Sequence, residues 1–150
     1  MTPSGKVLSV RLHVGDGLMR DEAELRAVAG SGFEEDVKAG TEGRHALLAD
    51  SGTMAACGMK PGDLQEQITV EFPGLQALAP RTELLIGGAR LTITEQCEPC
   101  KLFARRRGAG DPRAFIREMR DKRGVLACVL AGGVIRPGDP VFVAPPSAGT

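Results

Sequence analysis

Two thiols three residues apart, in Cys97-Glu98-Pro99-Cys100, are the side chains of this sequence best suited to chemistry. Proline is pre-organised for the first helical position, so Pro99 predicts a short helix running through Cys100, Lys101, Leu102 and Phe103 to about Arg106. Cys100 would then sit in the first turn, where unpaired backbone N–H groups and the helix dipole favour thiolate. Lys101, Arg105 and Arg106 could add to that effect. Nucleophilic attack, persulfide formation and soft-metal ligation all require a thiolate. The competing reading is that cysteine is often a small buried hydrophobe.

Cys-x-x-Cys spacing also suggests dithiol redox chemistry, but no βαβ unit precedes the motif and the segments around it read as antiparallel β. A structural zinc site needs about four ligands, and the other candidates, Cys57, Cys128, His13 and His45, lack paired spacing. Cys128 lies in an apolar stretch and reads as a core residue, while Cys57 has no assigned role. His13 and His45 fall on candidate strands, where a lone histidine is usually structural. No Ser-His-Asp or Cys-His pair can be assembled from spacing. The basic run Lys101, Arg105, Arg106, Arg107 suits an anionic cofactor group, because the planar guanidinium fork binds phosphate at two points. Cations near a helix C-terminus are equally expected with no ligand at all.

These residues belong to a 150-residue chain with 42% hydrophobic residues, enough for one domain with a real core. With no Trp or Tyr and five Phe, that core must be built mainly from Val, Leu, Ile and Ala. The 19 basic residues balance 19 acidic ones, so no long-range field favours nucleic acid. The segment after Met1 has no signal-peptide core, and no apolar run approaches the ~20 residues that span a bilayer. The expected setting is the cytoplasm, where thiols stay reduced and four cysteines need an explanation other than disulfides.

The elements that must position the thiols read as short strands with Gly and Pro punctuation. Lys6 to Val14 alternates Leu8, Val10, Leu12 and Val14 against Ser9, Arg11 and His13, the period of a half-buried strand. Gly15 to Gly43 reads as a long functional loop, within which Asp21 to Val28 could form a short helix. A short strand is expected at His45 to Ala49 and one or two helical turns at Ser51 to Met59. Lys60-Pro61-Gly62-Asp63 and Arg136-Pro137-Gly138-Asp139 have type II turn chemistry. Ile68 to Phe72 alternates as a strand, and Leu84 to Ile86 with Arg90 to Thr94 flank Gly87-Gly88 as a hairpin. Val125 to Leu130 reads as a central strand leading toward Val141 to Val143. Asp111 and Pro112 open one amphipathic helix with Phe115, Ile116 and Met119 on a single face. Together these predict a mainly β barrel or sandwich.

The order of motifs resembles the MOSC family, the molybdenum cofactor sulfurase C-terminal domain. The matching pieces run from Val7 to about Val143: the first strand, Gly32-Phe33-Glu34-Glu35-Asp36, the turn at Pro61-Gly62-Asp63, Leu64 to Val70, Leu84-Leu85-Ile86-Gly87, Glu98-Pro99-Cys100, and Gly124 to Asp139. The resemblance implies one stand-alone MOSC domain over 1–150, a β-barrel-like fold with a few short helices and loose ends at about 1–5 and 144–150. It also implies a reactive cysteine at Cys100 that either carries sulfur as a persulfide or ligates molybdenum in a bound cofactor. Lys101, Arg105, Arg106 and Glu66, the last standing at the family's Glu-Asn pair, are the expected cofactor-binding residues. The implied partners are a cysteine desulfurase or a molybdenum enzyme, and no pyridoxal phosphate is expected in this chain. Two alternatives stay open: molybdenum-dependent reduction of N-hydroxylated compounds with a separate electron donor, and a non-catalytic binding module with a structural cysteine.

Overall fold

A computed structural model describes residues 2–145. The long first strand β1 (Gly5–Gly15) is followed by β2 (Leu18–Glu22), β3 (Leu25–Val28) and β4 (Gly32–Phe33). Then come β5 (Ala46–Asp50), helix α1 (Ser51–Ala56), β6 (Ile68–Glu71) and the hairpin of β7 (Glu83–Ile86) and β8 (Ala89–Gln96). Helices α2 (Lys101–Arg106) and α3 (Pro112–Met119) precede β9 (Val125–Ala131), β10 (Gly133–Ile135) and β11 (Pro140–Val143).

The main sheet runs β11-β7-β8-β9-β5-β6-β1, and pairing of β1 with β11 closes it into a seven-stranded barrel; β2 pairs with β1 as an eighth strand. Closure leaves the barrel strands without a free edge. The fold is therefore mainly β, and the barrel expectation holds. β5 and β6 form the parallel pair, with α1 in the crossover between them. Val7, Leu48, Ile68, Leu84, Leu91 and Val125 are among the side chains filling the barrel.

β1 departs from simple alternation. Its register against β6 shifts between Val7 and Ser9, a bulge that puts Val7, Val10 and Leu12 in the core and leaves Leu8 half-buried and Val14 exposed. Arg11 and His13 are buried as well, so the strand's polar face is a second interior surface.

The expected loop from Gly15 to Gly43, with its short helix at Asp21 to Val28, is corrected. Leu25 and Ala27 are buried while Arg26 and Val28 are exposed, and β3 pairs with both β10 and β4 in a small second sheet. Four residues carry too little periodicity to outweigh the helix-favouring Glu, Arg and Ala around them, and tertiary pairing decides.

β9 is central as expected, with β8 on one side and β5 on the other. Leu126 of β9 and Leu47 of β5 form an outer apolar cluster with Cys97, which ties the candidate motif to the barrel wall. Another outer cluster joins Met54, Met59 and Leu64 to Phe103 of α2 and Met119 of α3, where Phe103 and Phe115 have ring centroids 5.5 Å apart. α3 forms as predicted, with the Asp111 carboxylate accepting the Ala114 N–H. Of the expected loose ends, Ser4 donates to Val141 O and Ala144 donates to Glu83 O, so both are bound to the sheet. The rest of that tail, from 146 on, lies outside the described residues. Among the described residues no helix is long and apolar enough to cross a membrane.

His45 supports the barrel from inside the backbone ladder. Its Nδ1 accepts the Val129 N–H at 3.0 Å, and burial pushes its pKa below the ordinary value. The unfolded chain then binds more protons than the folded one below about pH 6.5, so His45 makes stability fall as pH drops through that range. His45→Asn keeps an acceptor but has no proton to gain. Urea midpoints at pH 7 and 5.5 should show a fall in the native protein that is smaller in this variant; equal falls would rule out His45 as the source.

Candidate functional site

The segment from Cys97 to Cys100 leaves β8 and crosses the outside of the barrel before α2 begins. Its path is fixed at several points. The Cys97 N–H donates to Gly124 O at 3.0 Å, and Arg123 Nη1 donates to Glu98 O at 3.3 Å. The Arg123 guanidinium also stacks 4.0 Å from the centroid of the Phe103 ring, a cation–π contact that holds this arginine beside the segment.

The two thiols are not equivalent. Cys97 is buried against Leu47 and Leu126, and burial pushes its thiol pKa up despite the nearby Arg123 and Arg44 guanidiniums. Cys100 is exposed. The predicted helix start is corrected by two residues: Pro99 and Cys100 precede the helix, and Cys100 is the N-cap, with extended backbone at φ −132° and ψ 170°. Its carbonyl closes the first helical bond, accepting the Ala104 N–H at 2.9 Å, while its side chain makes no capping hydrogen bond. The thiol is left free for a ligand.

Cys97 and Cys100 open into a cleft of about 300 Å³. Its walls carry a set of cations: Arg106 from α2, Lys38 and Arg44 from the loop before β5, and Arg123 from the approach to β9. Asp16, a carboxylate on the same wall, is paired with Arg106 at 2.9 Å; that hydrogen bond and charge hold its pKa down. Among the described residues Lys38, Arg44 and Arg123 make no ion pair with a carboxylate, although Arg44 lies 4.0 Å from the Cys97 sulfur. Net positive charge around one accessible thiol suits an anionic ligand with an atom that sulfur can bind.

Of the residues expected to bind a cofactor, only Arg106 joins Cys100 in this cleft. Lys101 and Arg105 lie on another side of α2 and line a separate pocket with Asp111, Pro112 and Arg113. Arg107 pairs with Asp63 at 3.5 Å. Glu66 is fully buried and lines no part of the cleft: it accepts the N–H groups of Gly62 and Leu64 and faces Arg11, so it holds a turn together. The sequence reading takes His13 as a structural histidine and does not name Lys38, Arg44 and Arg123 as site residues. These four are scattered over more than a hundred residues, and only barrel closure brings them together.

A family model described as the MOSC domain matches residues 39–142. Solved structures with the same fold include the YuaD protein from Bacillus subtilis, 17% identical with a TM-score of 0.77, covering 91% of this chain and 93% of that one. YiiM from Geobacillus stearothermophilus is 17% identical with a TM-score of 0.73, covering 97% of this chain and 77% of that one. YiiM from Escherichia coli is 12% identical with a TM-score of 0.71, covering 95% and 71%. No curated protein sequence matches the chain.

Proposed function

Because the chain belongs to the MOSC domain family, we propose that its cationic cleft binds molybdenum cofactor, with Cys100 as the soft ligand from the protein. The observation that carries this reading is one accessible thiol, Cys100, in a cleft where, among the described residues, Lys38, Arg44 and Arg123 make no ion pair with a carboxylate. The residues present fit such a group. Thiolate is a suitable donor for a soft or borderline metal, and guanidinium groups suit a phosphate. Among the described residues no cluster of three or more His, Cys, Asp or Glu could hold a metal ion. In this reading the protein contributes the Cys100 sulfur, and the remaining ligands come with the cofactor. When bound, the cofactor would supply two-electron redox and atom-transfer chemistry. Arg44, Arg106 and Arg123 balance its charge, and the buried Leu47, Leu126 and Cys97 keep water from the inner wall.

The exposure of Cys100 also favours a second reading, sulfur carriage. Its thiolate would attack the outer sulfur of a cysteine desulfurase persulfide, releasing the desulfurase thiolate and leaving Cys100 as the persulfide. The two readings separate in one experiment. Protein purified from cells that make molybdenum cofactor should contain molybdenum near one equivalent, and Cys100→Ser should fall to background with an unchanged urea midpoint, because the thiol is exposed. Incubation with a desulfurase and cysteine, followed by mass spectrometry, should add one sulfur at Cys100 if the carrier reading holds. Molybdenum retained in Cys100→Ser would sink the ligand role, and absence of both metal and persulfide in the native protein would sink both readings.

A further inference from the structure

The cleft has one polar wall that the thiol and the arginines leave unexplained. His13, near the end of β1, lines it, yet the residue is only 7% exposed and its Nδ1 is buried with no hydrogen-bond partner among the described residues. That nitrogen lies 3.5 Å from the Asp36 carboxylate, close enough for charge pairing and longer than an ordinary hydrogen bond. Asp36 is held firmly. Its Oδ2 accepts the His13 backbone N–H at 3.0 Å and the Gln67 amide at 3.4 Å, and its Oδ1 accepts the Lys38 backbone N–H at 2.7 Å. Burial alone would raise the Asp36 pKa, but contact with the His13 side chain and the backbone donors outweighs it, so the group remains a buried anion.

An anion fixed beside Nδ1 places the ring proton on Nδ1 and leaves Nε2 as the basic nitrogen at the cleft edge of the ring. We infer that His13 is the proton-accepting wall of the cleft: an oxyanion or phosphate-bearing ligand enters together with a proton, which Nε2 takes from solvent, making the ring a further cation on the ligand. The charged groups facing it fit this role. The loop before β5 brings Asp36, Lys38 and Arg44. Across the cleft stand Arg106, already engaged with Asp16, together with Arg123 and the thiols of Cys97 and Cys100. A bound dianion favours a charged imidazole, and imidazole is the side chain that ordinarily changes charge near neutral pH. This rests on the cleft being an anion site and assigns the residue that couples it to protons.

Sulfate, which stays dianionic across the range, is the probe. Titration calorimetry of the whole protein near pH 7, in buffers of different ionisation enthalpy, should show uptake approaching about one proton per sulfate, with affinity weakening up to about tenfold per pH unit above neutrality. His13→Gln should take up no proton and bind with a flat pH profile, matching the native protein at pH 8 and weaker at pH 6. Should that variant fail to fold, imidazole NMR of the native protein decides. His13 should shift on adding sulfate, while His45, bonded to Val129 N–H, stays in place. Absence of sulfate binding, uptake that persists in His13→Gln, or a His13 signal that stays still while sulfate binds would each overturn the inference. Molybdenum content of the native protein is read separately. A protein that loads the metal and takes up no proton loses only the His13 role.

Discussion

Replacing Glu66 with alanine is expected to lower folding stability by about 3–5 kcal/mol, read as a shift of the urea midpoint at unchanged slope. Both Glu66 and its partner are out of solvent: the Arg11 side chain is 2% exposed and that of Glu66 0%. The Arg11 Nη1 lies 3.4 Å from Glu66 Oε2 and donates at 2.9 Å to the Glu66 carbonyl and to Thr69 Oγ1. Arg11 also reaches Asp21, but that carboxylate is 89% exposed and screened by water, so it cannot replace Glu66. Truncation would leave a buried guanidinium without its anion and strip the Gly62 and Leu64 N–H groups of their acceptor. Removing both charges, as Arg11→Met with Glu66→Leu, should cost less than the sum of the single changes by on the order of 1–3 kcal/mol, because the second change removes the charge that the first left unpaired. Additive losses would show that the pair is not coupled. The effect reaches the cleft through Gln65, which sits beside Glu66 and receives Arg106 at 3.3 Å. Glu66 thus serves the site by holding its scaffold.

Much of the fold was legible in local chemistry. The β7–β8 hairpin, the turns at Pro61-Gly62 and Pro137-Gly138, the capped helix at Asp111 and the doubly buried strand at Val125 each follow from residues next to one another. What stayed hidden depends on partners far along the chain. The bulge in β1 is a property of its register with β6, and it leaves Leu8 half-buried while Val7 and Val10 enter the core. β3 forms because β10, over a hundred residues later, pairs with it. The site divides in the same way. Cys100 was legible because Pro99-Cys100 marks a helix start within one segment, even though the cap lies two residues later than expected. Basic residues next to it in sequence were the natural guess for its charged surroundings, but a helix turns neighbours to different sides, so Arg106 faces the cleft while Lys101 and Arg105 do not. Lys38, Arg44 and Arg123 come from other segments, and solvated lysines and arginines carry no local mark of what they will face.

Gly124→Ala is expected to cost about 3 kcal/mol and to loosen the thiol segment at the same time. Gly124 has φ +95°, and a Cβ there would stand 2.3 Å from the Leu48 carbonyl oxygen, a β5 backbone atom that cannot rotate away. Left-handed strain and overpacking therefore add. The same residue is the anchor of the site: its carbonyl accepts the Cys97 N–H and the Gln76 amide, each at 3.0 Å, and its own N–H donates to Gln76 Oε1 at 2.9 Å. Moving this peptide away from Leu48 must lengthen the Cys97 bond and expose the thiol that Leu47 and Leu126 cover. Gly108→Ala is the matched control, since Gly108 has φ +70° with nothing within 4 Å of the added carbon. It should cost only about 1 kcal/mol, the conformational part alone. Urea midpoints give the two stabilities, and site-resolved alkylation gives the exposure. Cys97 should react markedly faster in Gly124→Ala than in the native protein or Gly108→Ala, with Cys100 fast in all three. Equal midpoints for the two variants would show that the Leu48 contact is not what makes Gly124 necessary. A Cys97 rate unchanged by Gly124→Ala would break the link between this glycine and the position of the thiol segment.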